Sequence, residues 1–178
     1  MVIGRLRLGA LMLLTMLVLA GCESLSTGAF RMPDIFGTSS DENVVKRKIP
    51  FPAEEYARLE KHGTAAIQGR LTYTTPQGET LVGADETISV APATRYAAEA
   101  ADVALSGRRI EPADPRAREY THYAKTDSDG YFVVRGIPAG VFYVAGSVLL
   151  PGGESRSPII IRQIEIGDGQ TREVDLSR

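Results

Sequence analysis

The fold is decided by two stretches of sequence, TDSDGYFVV at residues 126–134 and GIPAGVFYV at residues 136–144. In the first stretch, Gly130 closes a tight turn in which a positive φ is expected, a conformation that a side chain would resist. Phe132 and Val134 then point to the same side of a strand. In the second stretch, a proline and a glycine at the corner let the chain reverse. The two stretches therefore predict neighbouring strands that share one core.

The same alternation of apolar and polar residues continues on both sides of these stretches. Period two is typical of half-buried strands, and Gly, Pro and Asp mark the turns between them. Seven strands are expected, at residues 64–73, 88–90, 120–125, 131–134, 141–148, 158–166 and 171–176. This spacing predicts an all-β fold, a seven-stranded Greek-key-type β-sandwich. The expected core residues are Ile67, Leu71, Ile88, Val90, Phe132, Val134, Ile137, Phe142, Val144, Ile164, Ile166, Val174 and Leu176.

A short helix is expected before the sandwich, at residues 52–63. The segment begins with a proline, has acids in its first turn and bases in its last, and is followed by Gly63. His62 would then suit the negative end of the helix dipole. We expect this helix to lie against one end of the sandwich.

An insertion at residues 92–119 departs from a minimal sandwich. Its first part, Tyr96 to Leu105, is rich in alanine and prone to form a helix, whereas residues 107–118 indicate an irregular loop. A long loop inside a compact domain is often functional, although the alternative is a solvated cap over a sheet edge or sandwich end. The candidate partner-binding residues are of types that are enriched at interfaces, and they are Tyr96, Arg108, Arg109, Arg116 and Arg118.

The N-terminal residues 1–21 have the pattern of a secretory signal peptide, a basic start followed by an apolar run and small residues. The run is shorter than the ~20 residues that a membrane-spanning helix needs. Because Cys22 follows directly, the segment resembles a bacterial lipoprotein signal, which implies that its thiol carries the lipid, including palmitate, that anchors the protein. Glu23 at the next position favours the outer membrane if the host is diderm. Residues 22–51 are polar and predict a flexible tether.

The strand motifs resemble those of carboxypeptidase regulatory-like domains, which belong with the transthyretin-like (prealbumin-like) and Cna-B-like sandwiches. The resemblance rests on residues 126–144, on the first strand at 67–71, on Gly83 and Ala84 and on the end of the chain at 169–176. It implies a transthyretin-like sandwich over residues 64–178, apart from the insertion. It also implies a non-catalytic role, because this domain is an appendage of the peptidase in that family.

The residue types that act in catalytic and metal sites of other proteins do not form such a pattern in this sequence. Asp127-x-Asp129-Gly130 resembles the start of a calcium loop, but its twelfth position is a proline, so a turn is expected instead. His62 and His122 do not have metal-ligand spacing, and His122 is expected to face outward. The one asparagine, Asn43, lies outside the sandwich, so an isopeptide crosslink is not expected. We predict no enzyme activity, no metal and no cofactor.

The composition limits the classes of partner that this protein is expected to bind. With 178 residues, 43% hydrophobic, 24% charged and a net charge of -2, the chain fits one soluble domain and is too acidic for a nucleic-acid partner. The basic run at residues 46–48 is expected to keep the tether solvated. We therefore expect a lipid-anchored envelope protein that binds another envelope protein or a surface polymer. The alternatives are a structural stalk without a ligand and a secretion-apparatus lipoprotein.

Overall fold

The computed structural model describes residues 44–178. The predictions about the signal peptide (residues 1–21), Cys22, Glu23 and Asn43 lie outside the described residues. In chain order the elements are β1 (Val44–Val45), α1 (Ala53–Tyr56), β2 (Ala65–Thr74), β3 (Thr80–Val82), β4 (Thr87–Pro92), α2 (Arg95–Leu105), β5 (Arg109–Ile110), α3 (Pro115–Arg118), β6 (His122–Lys125), β7 (Tyr131–Ile137), β8 (Gly140–Gly146), β9 (Ile160–Ile166) and β10 (Thr171–Ser177). None of the helices within residues 44–178 is long and apolar enough to cross a membrane.

The strands form two four-stranded sheets and a separate two-stranded pair. In the first sheet β2 is central, with β10 parallel along one edge and β7 and β3 antiparallel along successive parts of the other. The second sheet is antiparallel and has the order β6-β4-β8-β9. The seven expected strands are all present, as β2, β4 and β6 to β10, and the all-β sandwich is confirmed. Three further strands, β1, β3 and β5, have only two or three residues each.

The sandwich core lies between the two sheets. All thirteen residues that the alternation predicts are buried there, and Ala65, Val148 and Ile160 complete the cluster. Because each strand alternates sides, these aliphatic and aromatic side chains face inward from both sheets. Burial of this kind contributes on the order of 25 cal/mol per Å² of apolar surface. The core is therefore the principal source of stability.

The turn at Gly130 has the expected geometry. Gly130 has φ 81°, and a Cβ at this position would lie 2.7 Å from the carbonyl oxygen of Leu71. Oδ1 of Asp127 accepts hydrogen bonds from the backbone N–H groups of Asp129 and Tyr131, both at 2.9 Å. The carboxylate is thus occupied by its own turn, which confirms the turn over the calcium loop.

One carboxylate, that of Glu86, is almost completely buried at an end of the sandwich. It accepts hydrogen bonds from the backbone N–H of Leu149 at 2.7 Å and from the guanidinium of Arg156. Arg156 also donates to the hydroxyl and the carbonyl oxygen of Ser147. The ion pair therefore holds the connection between β8 and β9, and its role is structural.

The helix predicted at residues 52–63 is much shorter, since α1 ends at Tyr56. Two tight turns follow, in which the N–H groups of Arg58 and Leu59 bond three residues back, and Gly63 then donates to the carbonyl of Gly136. The chain must leave the helix to reach that strand. His62 is therefore not at a helix end, and this part of the prediction is wrong.

Candidate ligand-binding pocket

The insertion lies on the outer face of the second sheet, where it builds a second cluster of buried residues. Tyr56, Tyr96 and Ala117 form its centre, and partly buried neighbours pack against them: Ile49, Phe51, Leu59, Ala113 and Tyr120. The ring centroids of Tyr56 and Tyr96 lie 6.4 Å apart, and those of Tyr56 and Tyr120 lie 5.2 Å apart, in edge-to-face arrangements that aromatic rings prefer. We call this set the lateral cluster.

Helix α2 is held over the sheet by its N-cap. The side chain of Thr94 accepts a hydrogen bond from the N–H of Ala97 at 3.1 Å, which satisfies one of the exposed donors of the first turn. The same hydroxyl pairs with the hydroxyl of Tyr56 at 3.0 Å in a buried position. The residues that the sequence predicts as a helix, from Tyr96 to Leu105, lie within α2, so that prediction is confirmed.

Residues 44–51, which were expected to belong to the flexible tether, bind to the insertion instead. β1 pairs in parallel with β5, and the N–H groups of Lys48 and Ile49 donate to the carboxylate of Glu99 at 2.6 and 3.3 Å. The irregular loop predicted after α2 is therefore partly ordered into β5 and α3. The sequence pattern could not reveal these contacts, because Lys48 and Glu99 lie 51 positions apart and the residues paired between β1 and β5 are still farther apart.

Arg47 is the most constrained residue of this segment. Its Nε donates to the carbonyl of Glu111 at 3.1 Å, and its Nη1 donates to the carbonyl of Tyr96 at 3.2 Å. Its guanidinium also lies 4.1 Å from the centroid of the Tyr96 ring, a favourable cation–π contact. The expectation that the basic run only solvates a tether is therefore wrong for Arg47.

A pocket opens between the insertion and the sheet. Its floor is one row across all four strands of the second sheet. Ser89 of β4 lies opposite Tyr123 of β6 on one side and Ala145 of β8 on the other. Ala145 in turn lies opposite Ile161 of β9. Small side chains in the middle of the row, with larger ones at its ends, create the depression.

The roof of the pocket comes from alanines of α2. Ala97, Ala100 and Ala101 have the spacing that places residues on one face of a helix, and all three line the pocket. Because alanine is short, the helix covers the sheet without filling the space beneath it. The result is a half-open cavity of about 70 Å³. The larger side chains of the lining are four tyrosines, two arginines and Ile161, and the tyrosines and arginines are Tyr56, Tyr96, Tyr123, Tyr143, Arg47 and Arg118.

The structure separates the five candidate binding residues. Tyr96 and Arg118 line the pocket, but Tyr96 is buried and its hydroxyl accepts a hydrogen bond from the N–H of Asp114 at 2.9 Å. Tyr96 is thus a wall of the pocket and not an exposed anchor. Arg108 is exposed and bonds to the hydroxyl of Ser106. Arg109, which also makes contacts, belongs to β5.

Arg116 has a structural role at the start of α3. It makes two side-chain hydrogen bonds to Asp114, at 2.9 and 2.8 Å, and its guanidinium lies 4.2 Å from the ring centroid of Phe51. These bonds and the backbone N–H of Arg116 lower the pKa of Asp114 to about 2. Asp114 is therefore a stable carboxylate cap. Burial is the main cause that raises the pKa of Tyr56, so that this hydroxyl stays neutral.

His122 of β6 lies opposite Val90 of β4, on the same side of the second sheet as that core residue. Its ring centroid is 6.1 Å from that of His62, and its Nε2 is buried without a hydrogen-bond partner among residues 44–178. Burial is the main cause that lowers the pKa of His122, and the charge of His62 adds to it. The prediction that His122 faces outward is wrong. In the described part of the chain, no three His, Cys, Asp or Glu side chains come together as a metal site.

No sequence pattern marks four of the pocket residues as binding residues, and they are Arg47, Tyr56, Tyr123 and Tyr143. One signal was present, since Ser89, Ala91 and Ala145 are small residues on the outer face of two neighbouring strands. Small residues at alternate positions allow a helix to approach a sheet closely. Ser89 is in fact only 3% exposed, which shows that this outer face is covered.

The described residues thus form a two-sheet β-sandwich with a lateral pocket. No family model matches the chain, and none of the curated proteins does. Among solved structures, the chain is similar to a crystal structure described as a putative carbohydrate binding protein from Pseudomonas aeruginosa, with a TM-score of 0.61 and 25% sequence identity. The alignment covers 72% of this chain and 97% of that chain.

Proposed function

We propose that this chain is a lipid-anchored envelope protein whose β-sandwich binds a saccharide in the lateral pocket. Three observations support the proposal. Cys22 directly follows a sequence typical of lipoprotein signals. A similar solved structure is described as a putative carbohydrate binding protein. The pocket is lined by aromatic rings and by hydrogen-bond donors, the two kinds of group that a sugar needs.

The lining of the pocket is the observation that carries the proposal. A pyranose ring presents C–H groups on its faces and hydroxyl groups around its edge. The rings of Tyr123 and Tyr143 provide apolar surface for the C–H groups. The guanidinium groups of Arg47 and Arg118 provide hydrogen-bond donors for the hydroxyl groups. A few polar groups in a largely apolar concave surface are typical of ligand sites.

The finer family assignment is part of the proposal. We propose that the sandwich is a carboxypeptidase regulatory-like domain with transthyretin-like Greek-key connections, as the motifs at residues 126–144 suggest. In that family the domain is not the catalytic part, and we propose that this chain is likewise not an enzyme. Glu23 supports placement in the outer membrane of a diderm host.

A glycan array with matched variants tests the saccharide proposal. The full chain, purified with its lipid in detergent micelles, is applied to immobilised bacterial surface polysaccharides. Ala97→Leu fills the pocket from α2, whereas Ala98→Leu adds the same atoms at the next position, which does not line the pocket. We expect binding by the wild type and by Ala98→Leu, and loss of binding by Ala97→Leu. Absence of binding, or equal binding by both variants, contradicts the proposal.

The anchor is tested separately by labelling with radioactive palmitate. The wild type should incorporate the label, and Cys22→Ser should not, because the thiol is the proposed acceptor. Fractionation of the two proteins should show the wild type in the membrane and the variant released. Equal labelling, or a variant that stays in the membrane fraction, contradicts the proposed anchor.

A further inference from the structure

We propose that the saccharide held in the lateral pocket is anionic, a sugar that carries a carboxylate or phosphate group at the arginine-lined mouth. This inference rests on the proposed function and names the class of its ligand. It is carried by the charge of the lining, by the way the two arginines are held and by the size of the cavity.

The residues that line the pocket have a net positive charge. Of the sixteen, all within the described range, two are arginines and none is acidic. The acids of the neighbouring segments have other partners: Asp114 pairs with Arg116, with a weaker charge interaction to Arg118, and Glu119 pairs with Lys61. The carboxylate of Glu111 accepts a hydrogen bond from the backbone N–H of Arg47 at 2.9 Å. The walls themselves contribute only neutral tyrosine, serine, threonine and aliphatic groups.

Arg118 is suited to bind an anion. It is exposed, and its Nε donates to the carbonyl of Ala113 at 3.3 Å, the one hydrogen bond that its side chain makes within residues 44–178. That bond fixes the guanidinium at one end and leaves the two terminal nitrogens to donate to a ligand. A guanidinium presents parallel N–H groups that match a carboxylate or a phosphate. A neutral hydroxyl group accepts only some of the hydrogen bonds that these N–H groups can donate.

Arg47 adds a second cation that is already held in place. Its Nε and Nη1 donate to two backbone carbonyls, and its plane lies over the ring of Tyr96. The side chain therefore loses little conformational freedom when a ligand binds, and such preorganisation increases affinity. Backbone carbonyls hold the guanidinium in place without cancelling its charge.

The cavity admits one small group and not a chain of sugars. Its volume of about 70 Å³ is less than half of the roughly 150 Å³ that accommodates benzene in an engineered protein cavity. A ligand therefore inserts one ring edge or one substituent and leaves the rest in solvent. In this arrangement the substituent decides selectivity, and the arginines favour an anionic one.

Pairs of polymers that differ only in charge test the inference. The probes are polygalacturonate against its carboxyl-reduced form, and phosphomannan against dephosphorylated mannan, titrated calorimetrically into the full chain in detergent. We expect the acidic member of at least one pair to bind about tenfold or more tightly than its neutral partner, as for a charge-assisted hydrogen bond. The pair that shows the difference identifies carboxylate or phosphate as the ligand group.

Matched variants assign the effect to the pocket. Arg118→Gln should abolish the preference for the acidic polymer, whereas Arg108→Gln, an exposed arginine outside the lining, should leave it unchanged. Equal weakening by both variants would mean general charge attraction and would overturn the inference. Equal binding of acidic and neutral polymers, still lost in Ala97→Leu, overturns the inference and leaves the proposed function standing. Absence of binding to all four polymers overturns the inference, whereas the glycan array decides the proposed function.

Discussion

The sandwich core and the lateral cluster are built from different residues and by different rules. The core is mostly aliphatic, and its members recur at every second position of long strands. Half of the residues of the lateral cluster are aromatic, and the cluster joins three separate segments, residues 49–59, α2 and residues 113–120. The first kind of packing can be read from local periodicity, whereas the second depends on contacts between residues far apart in sequence. The sandwich core and the lateral cluster are thus specified by different kinds of sequence information.

The largest expected effect lies in the sandwich core. Phe132→Ala removes a ring that is 3% exposed and should lower the free energy of unfolding by about 3–5 kcal/mol, through lost burial and a cavity. Urea unfolding of the full chain in detergent, followed by circular dichroism, measures the change. A loss below about 1 kcal/mol would mean that the core can repack around the gap, and the contrast between the two regions would disappear.

The next effect separates backbone strain from packing at two glycines. Gly78 and Gly130 have similar positive φ values, 87° and 81°, but only Gly130 has neighbours in the path of a Cβ. Gly78→Ala should therefore cost only the strain, about 1 kcal/mol. Gly130→Ala should cost about 1–3 kcal/mol more, because the Cβ meets the carbonyl of Leu71. Equal losses of unfolding free energy in the two variants would show that glycine is required at position 130 for its positive φ, and not for its contact with the carbonyl of Leu71.

The contrast between the sandwich core and the lateral cluster also explains how much of the fold and of the pocket the sequence could predict. Every predicted core residue except Ile137 lies on the side of its strand that the alternation predicts; Ile137 follows Gly136, which has φ 75°, at a shift in the register of β7. Arg47 and Tyr56 carry no such periodicity, and their partners, Tyr96 and Thr94, are 49 and 38 positions away. On composition alone, Arg47 was expected to belong to a solvated tether. The sequence could identify the insertion as unusual, but only the fold reveals which of its arginines reaches the pocket.

A smaller effect is expected in the lateral cluster. Tyr56→Phe keeps the ring but removes the buried hydroxyl pair with Thr94, and it should lower the free energy of unfolding by about 1 kcal/mol. Tyr131→Phe is the control, because Tyr131 is 53% exposed and its change should stay within about 0.5 kcal/mol. Thermal unfolding of the two variants makes the comparison. If Tyr56→Phe is as neutral as the control, the lateral cluster is held by its ring contacts alone.

The smallest effect is expected at His122, in the edge strand β6 of the second sheet, and depends on pH. Burial, and secondarily the charge of His62, lowers the pKa of His122 in the folded protein below its ordinary value of 6.5. Above pH 6.5 both folded and unfolded states hold a neutral imidazole, so this group adds no pH dependence. As the pH falls below 6.5, the unfolded chain binds the proton first, and stability decreases until the pH reaches the folded-state pKa.

Two variants divide this effect into its causes. His122→Gln should remove this contribution to the decrease in unfolding free energy between pH 6.5 and the folded-state pKa. His62→Gln should remove only part of it, because burial is the larger cause of the shift and the charge of His62 is the smaller. Chemical denaturation at a series of pH values measures how steeply the free energy of unfolding of each variant changes with pH. If His62→Gln removes the pH dependence as completely as His122→Gln, the charge of His62 and not burial is the main cause of the shift at His122. If neither variant changes the pH dependence, the imidazole of His122 is open to water in solution.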